Sequence, residues 1–388
     1  MASDPTPGAA ATRAAADRAA SDRAAATRAA ANRAVARRDL DAALAAGDTA
    51  QVELLEALLS DGVLLVYHPP RAHYGVQLGS LGSTRHVAVL VPGVGTDVNL
   101  ATQWLPAARH LFDAAGSASV ILWKGYDEPP DLVAAAARTV ACDQELHTAA
   151  ADLTGFVRSL ALEPDQALTV VAHSFGSVVA GAALAHHGLE CTAVVVAGSP
   201  GMTVDDLRQL HLDDAHVFTE QAPGDPVAGL GVYGAQPTWP EFGGTRMRTN
   251  AAGHVEVREH SAYFTPGSES LENIVAVVTG RYDAVAVHRP GLAESAGGLV
   301  AWALRLPTMP IGVVARHYRG PGFRVLVNVR HLADVSANQA GNAVAGTLDT
   351  GGRAVGWLER RLRGPGPDGR VADVPTRHRA TDAAGGTR

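Results

Sequence analysis

Ser174 stands in the stretch Val170-Val-Ala-His-Ser-Phe-Gly-Ser177, where an apolar β-branched run gives way to the small residues that open a helical pattern. A chain that reverses from strand to helix at a serine needs small residues two positions before and two after it, and Ala172 and Gly176 meet that demand. Such an elbow lifts the hydroxyl above the sheet edge. The unpaired backbone N–H groups at the start of the helix, that of Phe175 among them, then point at an incoming oxygen. The chemistry this suits is nucleophilic attack on an acyl carbon, with the developing oxyanion held by backbone donors.

Serine is a poor nucleophile at neutral pH and needs a base, itself oriented by a carboxylate. Behind an elbow of this kind the chain order is Ser, Asp or Glu, then His. Asp225 follows a strand candidate, Ala215 to Glu220, in the turn-rich Ala222-Pro-Gly-Asp-Pro-Val, at a strand's C-terminal end where ligand chemistry gathers in open α/β sheets. Asp205 and Asp206 are its rivals, but they read as the capped first turn of a helix. His260 opens His-Ser-Ala-Tyr-Phe among small neighbours, just ahead of a late helix. Its rival, His254, starts a short Val-Glu-Val-Arg strand pattern.

A second oxyanion donor fits Val89-Leu-Val-Pro-Gly-Val-Gly-Thr, where Gly93 and Gly95 let the backbone turn and Val94 or Gly95 donates. Trp123-Lys-Gly-Tyr-Asp-Glu-Pro-Pro ends the next strand at the same edge. Tyr126 and Asp127 therefore join Gly93 and His173 as candidate pocket residues, with loop packing the equal alternative for the tyrosine and aspartate. No His-Glu-x-x-His spacing and no Gly-Lys-Ser/Thr phosphate loop occurs, so neither a metal nor a cofactor is expected.

The elements that must position these groups alternate along the chain. Strand patterns at His86 to Val91, Val120 to Trp123, Ala167 to Ala172 and Thr192 to Ala197 are separated by helical patterns near Asn99 to Ala114, between Asp131 and Ser159, and from Ser177. This is the pattern of an α/β fold, a mostly parallel sheet with helices on both faces. Val63 to Tyr67 and Tyr74 to Leu78 read as a preceding hairpin, and Ser270 to Gly280 as the late helix.

Four regions follow. Residues 1–38 form an Ala/Arg leader repeating in fives from Thr12, helical or disordered. A five-residue period advances about 500° around a 3.6-residue helix, so no apolar face is kept and a solvated helix is expected. A basic arm for a partner or a membrane surface is the second reading. Residues 39–282 hold the catalytic domain, entered by an amphipathic helix over Asp39 to Leu59. Residues 283–363 form a mainly helical extension whose apolar-basic part packs on the core or, in the second reading, makes peripheral membrane contact. Residues 364–388 are a Gly/Pro/Arg/Asp tail expected to be disordered.

The 388 residues are 47% apolar and carry a net charge of −7, which argues against a nucleic-acid partner. Cys142 and Cys191 read as two thiols rather than a disulfide framework, which favours a reducing compartment. No secretory h-region and no uninterrupted apolar span of about twenty residues is present, so a soluble, cytoplasmic protein is expected.

Together, Leu90-Val-Pro-Gly-Val-Gly-Thr, Trp123-Lys-Gly-Tyr-Asp-Glu-Pro, Ala172-His-Ser-Phe-Gly-Ser, Gly198-Ser-Pro-Gly-Met, Asp225 and His260-Ser-Ala-Tyr resemble a largely actinobacterial α/β-hydrolase family catalogued as a domain of unknown function. The resemblance covers about Val63 to Gly280. It implies an α/β-hydrolase fold and a Ser174, Asp225, His260 triad. The chain departs from the family at Ala172, usually glycine, and at Phe175, usually tyrosine. The activity expected is that of a serine hydrolase, carboxylesterase- or lipase-like, cleaving a small-molecule ester or related acyl bond. An acyltransferase with the same triad and a non-catalytic scaffold on the same fold are the alternatives.

Overall fold

The structure, a computed structural model, describes residues 7–60, 62–93, 100–127, 144–212, 216–228 and 232–289, with isolated positions between 296 and 347. The tail and nearly all of the C-terminal extension therefore lie outside the described residues, as do Cys142, Val94 and Gly95. Eight strands form one sheet: β1 (Val63–His68), β2 (His73–Leu78), β3 (His86–Val91), β4 (Ala118–Lys124), β5 (Ala167–His173), β6 (Ala193–Ala197), β7 (Val217–Glu220) and β8 (Thr245–Arg246). Their spatial order is β1-β2-β4-β3-β5-β6-β7-β8. β2 runs antiparallel to both neighbours, as the hairpin reading requires, and every other pairing is parallel.

The continuous apolar runs of the central strands arise because both faces are covered. Along β3, Val87, Val89 and Val91 are buried in one layer with α4 (Gln144–Ser159) and α5 (Phe175–His186). Ala88 and Leu90 face the other layer, with α2 (Thr49–Ser60), α3 (Leu100–Ala115) and α6 (Glu269–Val278). The expected parallel-sheet architecture is the one observed. Among the described residues, no helix is long and apolar enough to cross a membrane.

Two expectations fail at the N-terminal end. The helix read over Asp39 to Leu59 is split: α1 (Pro7–Ala46) stops before Gly47, which takes φ +70°. Asp48 then opens α2, accepting the Gln51 N–H at 3.1 Å. Nor is the repeat a solvated rod over its C-terminal half. Ala29, Ala36 and Ala43 are buried at seven-residue spacing, close enough to two helical turns to keep one narrow seam. The Asn32 amide donates to the carbonyls of Leu64 (3.2 Å) and Leu65 (2.9 Å) on edge strand β1, and Arg33 donates to the Leu59 carbonyl at 2.7 Å. The period of five hid this seam because alanine packs by being small, and alanines on every side of a helix leave little contrast between one face and another.

Candidate active site

β5 ends at His173 and α5 begins at Phe175, so Ser174 carries the whole reversal, with φ 53° and ψ −128°. A non-glycine residue in that region is strained and persists because its surroundings over-determine it. The Ser174 N–H donates to the Ala197 carbonyl at 3.0 Å, continuing the sheet ladder, while its own carbonyl accepts the Ser177 N–H at 3.0 Å. The elbow's tolerance for side chains is set by close backbone contact. A Cβ at Gly176 would lie 2.3 Å from the Val91 carbonyl oxygen, and one at Gly93 would lie 2.5 Å from the Ser174 Cβ. Gly93 thus brings the end of β3 directly against the serine.

The C-terminal edge of the sheet gathers the other groups. His260, in the long connection between β8 and α6, has its Nε2 2.8 Å from the Ser174 Oγ. Its Nδ1 lies 2.9 Å and 3.0 Å from the two Asp225 carboxylate oxygens, Asp225 standing in the loop after β7. Gly198, after β6, lies beneath the pair at φ +61°; a Cβ there would come within 2.9 Å of the Asp225 Oδ2 and 3.0 Å of the imidazole. The Asp225 carboxylate is fully covered, whereas the His260 side chain keeps 24% of its surface exposed. A sealed acid and an open imidazole suit a base that must meet a substrate.

Asp225 is held by more than the histidine. The N–H groups of Val227 (2.8 Å) and Ala228 (3.2 Å) donate to Oδ1, and the Tyr263 hydroxyl donates to Oδ2 at 2.6 Å. Tyr263 in turn accepts the Ala222 N–H at 2.9 Å, joining the acid's loop to the turn that carries His260. Burial pushes the Asp225 carboxyl up, but the hydrogen bonds from His260 and Tyr263 outweigh it and hold the group at about 2. An unfolded aspartate titrates near 3.9. The network therefore stabilises the fold above that value and loses its effect as pH falls through about 2. At neutral pH it contributes on the order of 2 kcal/mol, of which about half is expected to be gone by pH 3. Urea unfolding of wild type and Asp225→Asn at pH 6 and pH 3 reads this directly. The stability gap between them should narrow at the lower pH, and an unchanged gap would contradict the assigned network.

The rivals lie elsewhere. Asp206 caps the 3-10 turn Leu207–Leu210, accepting the Arg208 N–H at 2.9 Å. His254 pairs with Glu272 at 3.0 Å, and residues 255–258 after it form no strand, contrary to expectation. Val255 does reach across to the Gly267 carbonyl, but through a single backbone bond rather than a ladder.

Three of the candidate pocket residues have other places. The Tyr126 ring is buried, its hydroxyl donating to the Pro92 carbonyl at 2.6 Å, so it braces the end of β3 from below. Asp127 turns away to Arg71 and to His73, the latter at 2.9 Å. His173 is 1% exposed and packs behind His260 rather than facing an open cleft. Phe175 begins α5, where its backbone N–H belongs to the unpaired first turn. Its ring turns into the core, edge-on to Tyr233 at 5.6 Å and 6.0 Å from Tyr126.

Sequence reasoning missed Tyr263 and the supporting part of Gly198, although both sit in motifs it had picked out. Asp225, which each of them meets, lies 27 and 38 positions away in the chain, and no local signal marks that.

An elbow after β5 of an eight-stranded, mostly parallel sheet with helices on both faces is the α/β-hydrolase fold. Residues 71–234 match the family model described as Alpha/beta hydrolase, which bears out the resemblance read from the motifs. An uncharacterized protein of Mycobacterium tuberculosis (strain H37Rv) is 27% identical over 310 residues, covering 67% of this chain and 47% of its own length. The chain thus spans about half the length of that relative. An uncharacterized protein of Mycobacterium bovis is 29% identical over 189 residues, covering 44% of this chain and 69% of its own. Among solved structures, a CIB-like hydrolase from Thermoplasma acidophilum is 12% identical over 54% of this chain and 92% of its own, with a TM-score of 0.35. A carboxylesterase from Mesorhizobium loti is 18% identical over 42% and 75%, with a TM-score of 0.28. Likenesses that distant carry no argument about substrate.

Proposed function

We propose that this protein is a serine hydrolase that cleaves an ester or related acyl bond through Ser174, His260 and Asp225. The observation that carries the reading is the continuous hydrogen-bonded line from the Ser174 hydroxyl through both nitrogens of His260 to a buried carboxylate.

The His260 Nε2 takes the Ser174 proton as the Oγ attacks the carbonyl carbon of the substrate. Asp225 keeps the Nδ1 proton in place and stabilises the imidazolium. It stays ionised while doing so, because its carboxyl is held at about 2. The tetrahedral oxyanion is received by the Phe175 N–H and, from the loop after β3, by that of Val94 or Gly95. The imidazolium then gives its proton to the departing alcohol, and a water activated by the same imidazole releases the acyl group from Ser174.

Water and an alcohol compete for the same acyl-enzyme, so the test is a partition experiment. p-Nitrophenyl butyrate is turned over with glycerol added at millimolar levels, and the acid and ester products are measured. A hydrolase gives butyrate as the dominant product. Predominant glyceryl ester would instead assign an acyltransferase, and no turnover by folded protein would remove the catalytic reading.

A further inference from the structure

We infer that His173 is a positioning residue for the catalytic base: it ties the backbone of His260 to β5, the strand that delivers Ser174. This rests on the serine-hydrolase reading above. The His173 Nε2 lies 2.5 Å from the His260 carbonyl oxygen. A carbonyl can only accept, so Nε2 carries the proton and the imidazole is in its Nε2–H tautomer. The other nitrogen, Nδ1, is buried with no hydrogen-bond partner among the described residues. A proton on it would have no acceptor among the described residues, and burial first, then the neighbouring His260, push the His173 pKa down to about 3.

The neighbours make the contact rigid. The His173 ring lies 4.5 Å from the His260 ring, centroid to centroid, and 4.7 Å from that of Trp104 on α3. Trp104 also meets Phe264 edge-on at 5.9 Å, and Tyr263 stands 5.8 Å from His173 on its remaining side. His260 lies in a connection of more than twenty residues between β8 and α6; the 3-10 turn Ala262–Phe264 and the Tyr263 hydroxyl tie it to the loop of Asp225, so its height above the end of β5 needs a reference of its own. The residue directly before Ser174 supplies that reference. Nucleophile and base are thereby registered to the same strand end, independently of the hydrogen bond between their side chains. Remaining neutral matters too, because a cation 4.5 Å away would oppose the imidazolium that His260 becomes.

The experiment compares three substitutions with a spectroscopic reading of the wild type. A glutamine amide nitrogen reaches about as far as the histidine Nε2, whereas that of asparagine reaches only as far as Nδ1. With p-nitrophenyl butyrate, His173→Leu and His173→Asn are expected to lower kcat by about tenfold or more with KM unchanged. His173→Gln should recover most of that loss. The wild-type imidazole should show the neutral Nε2–H tautomer by nitrogen NMR throughout pH 5–8. The proposal is overturned if folded His173→Leu keeps kcat within about twofold of wild type, or if glutamine does no better than asparagine. The NMR reading needs neither a variant nor activity. A protonated Nδ1 or a titration within pH 5–8 overturns the positioning role even if the variants do not fold. Wild-type inactivity combined with the Nε2–H tautomer would count against the hydrolase reading while leaving this geometry standing.

Discussion

Ser174→Ala is expected to lower kcat for p-nitrophenyl ester hydrolysis by on the order of 10^4- to 10^6-fold while leaving the fold intact. The size of the effect follows from the site's division of labour. Among the described contacts, the Ser174 hydroxyl engages only His260 and is the one side-chain hydroxyl hydrogen-bonded to that imidazole. The fold should survive because the elbow is built from backbone: the Ser174 N–H and carbonyl bonds to Ala197 and Ser177 are unaffected. Alanine is no worse than serine at φ 53°. Steady-state rates alongside a thermal melt check both halves. Residual activity within about tenfold of wild type, in a protein with an unchanged melt, would place the nucleophile elsewhere.

Asp225→Asn is the second large effect, a loss of about 10^3- to 10^4-fold in kcat. The carboxylate takes two backbone donors, a tyrosine hydroxyl and the histidine, and its side chain has no exposed surface. An amide in this place removes the charge opposite the imidazolium and sets an N–H group against one of the four donors. No water can replace what is lost in a sealed site. Asp206→Asn is the matched control, since that carboxylate caps a surface turn. It should keep kcat within about twofold. If the two substitutions have equal effects, the acid has been wrongly chosen.

The parts of this molecule that were legible in the sequence are those whose cause is local. An elbow demands small residues at 172 and 176, and the carbonyls of Val91 and Pro92 crowding Gly176 are the physical form of that demand. Strands buried on both faces read as apolar runs, which is why β3 to β6 could be placed nearly to the residue. Asp225 and His260 could be nominated from their order along the chain, and they stand within hydrogen-bond distance of one another here. What stayed hidden depends on pairs that only the folded chain creates. Tyr263 reaches back 38 positions to Asp225, and His173 reaches forward 87 to a backbone carbonyl. Neither leaves a pattern. The docking of α1 was missed for a different reason: its seam is made of alanines, and the specific bonds come from Asn32 and Arg33, residue types expected to face water.

The two departures from the family motif also take on physical meaning. Ala172 is fully buried on β5, where its methyl is tolerated within the layer shared by α4 and α5. Phe175 places its ring between Tyr126 and Tyr233, so the side chain after Ser174 serves the core beneath the elbow, while its backbone N–H belongs to the unpaired first turn of α5.

Reaction of the full-length protein with a fluorophosphonate, followed by intact mass and peptide mapping, tests the central claim most directly. Such a probe bonds only to a serine activated by its surroundings, and it needs no knowledge of the natural substrate. One adduct per chain, mapped to Ser174 and absent from Ser174→Ala, is the expected result. Folded wild-type protein that takes up no label, or carries it on another residue, would contradict the account.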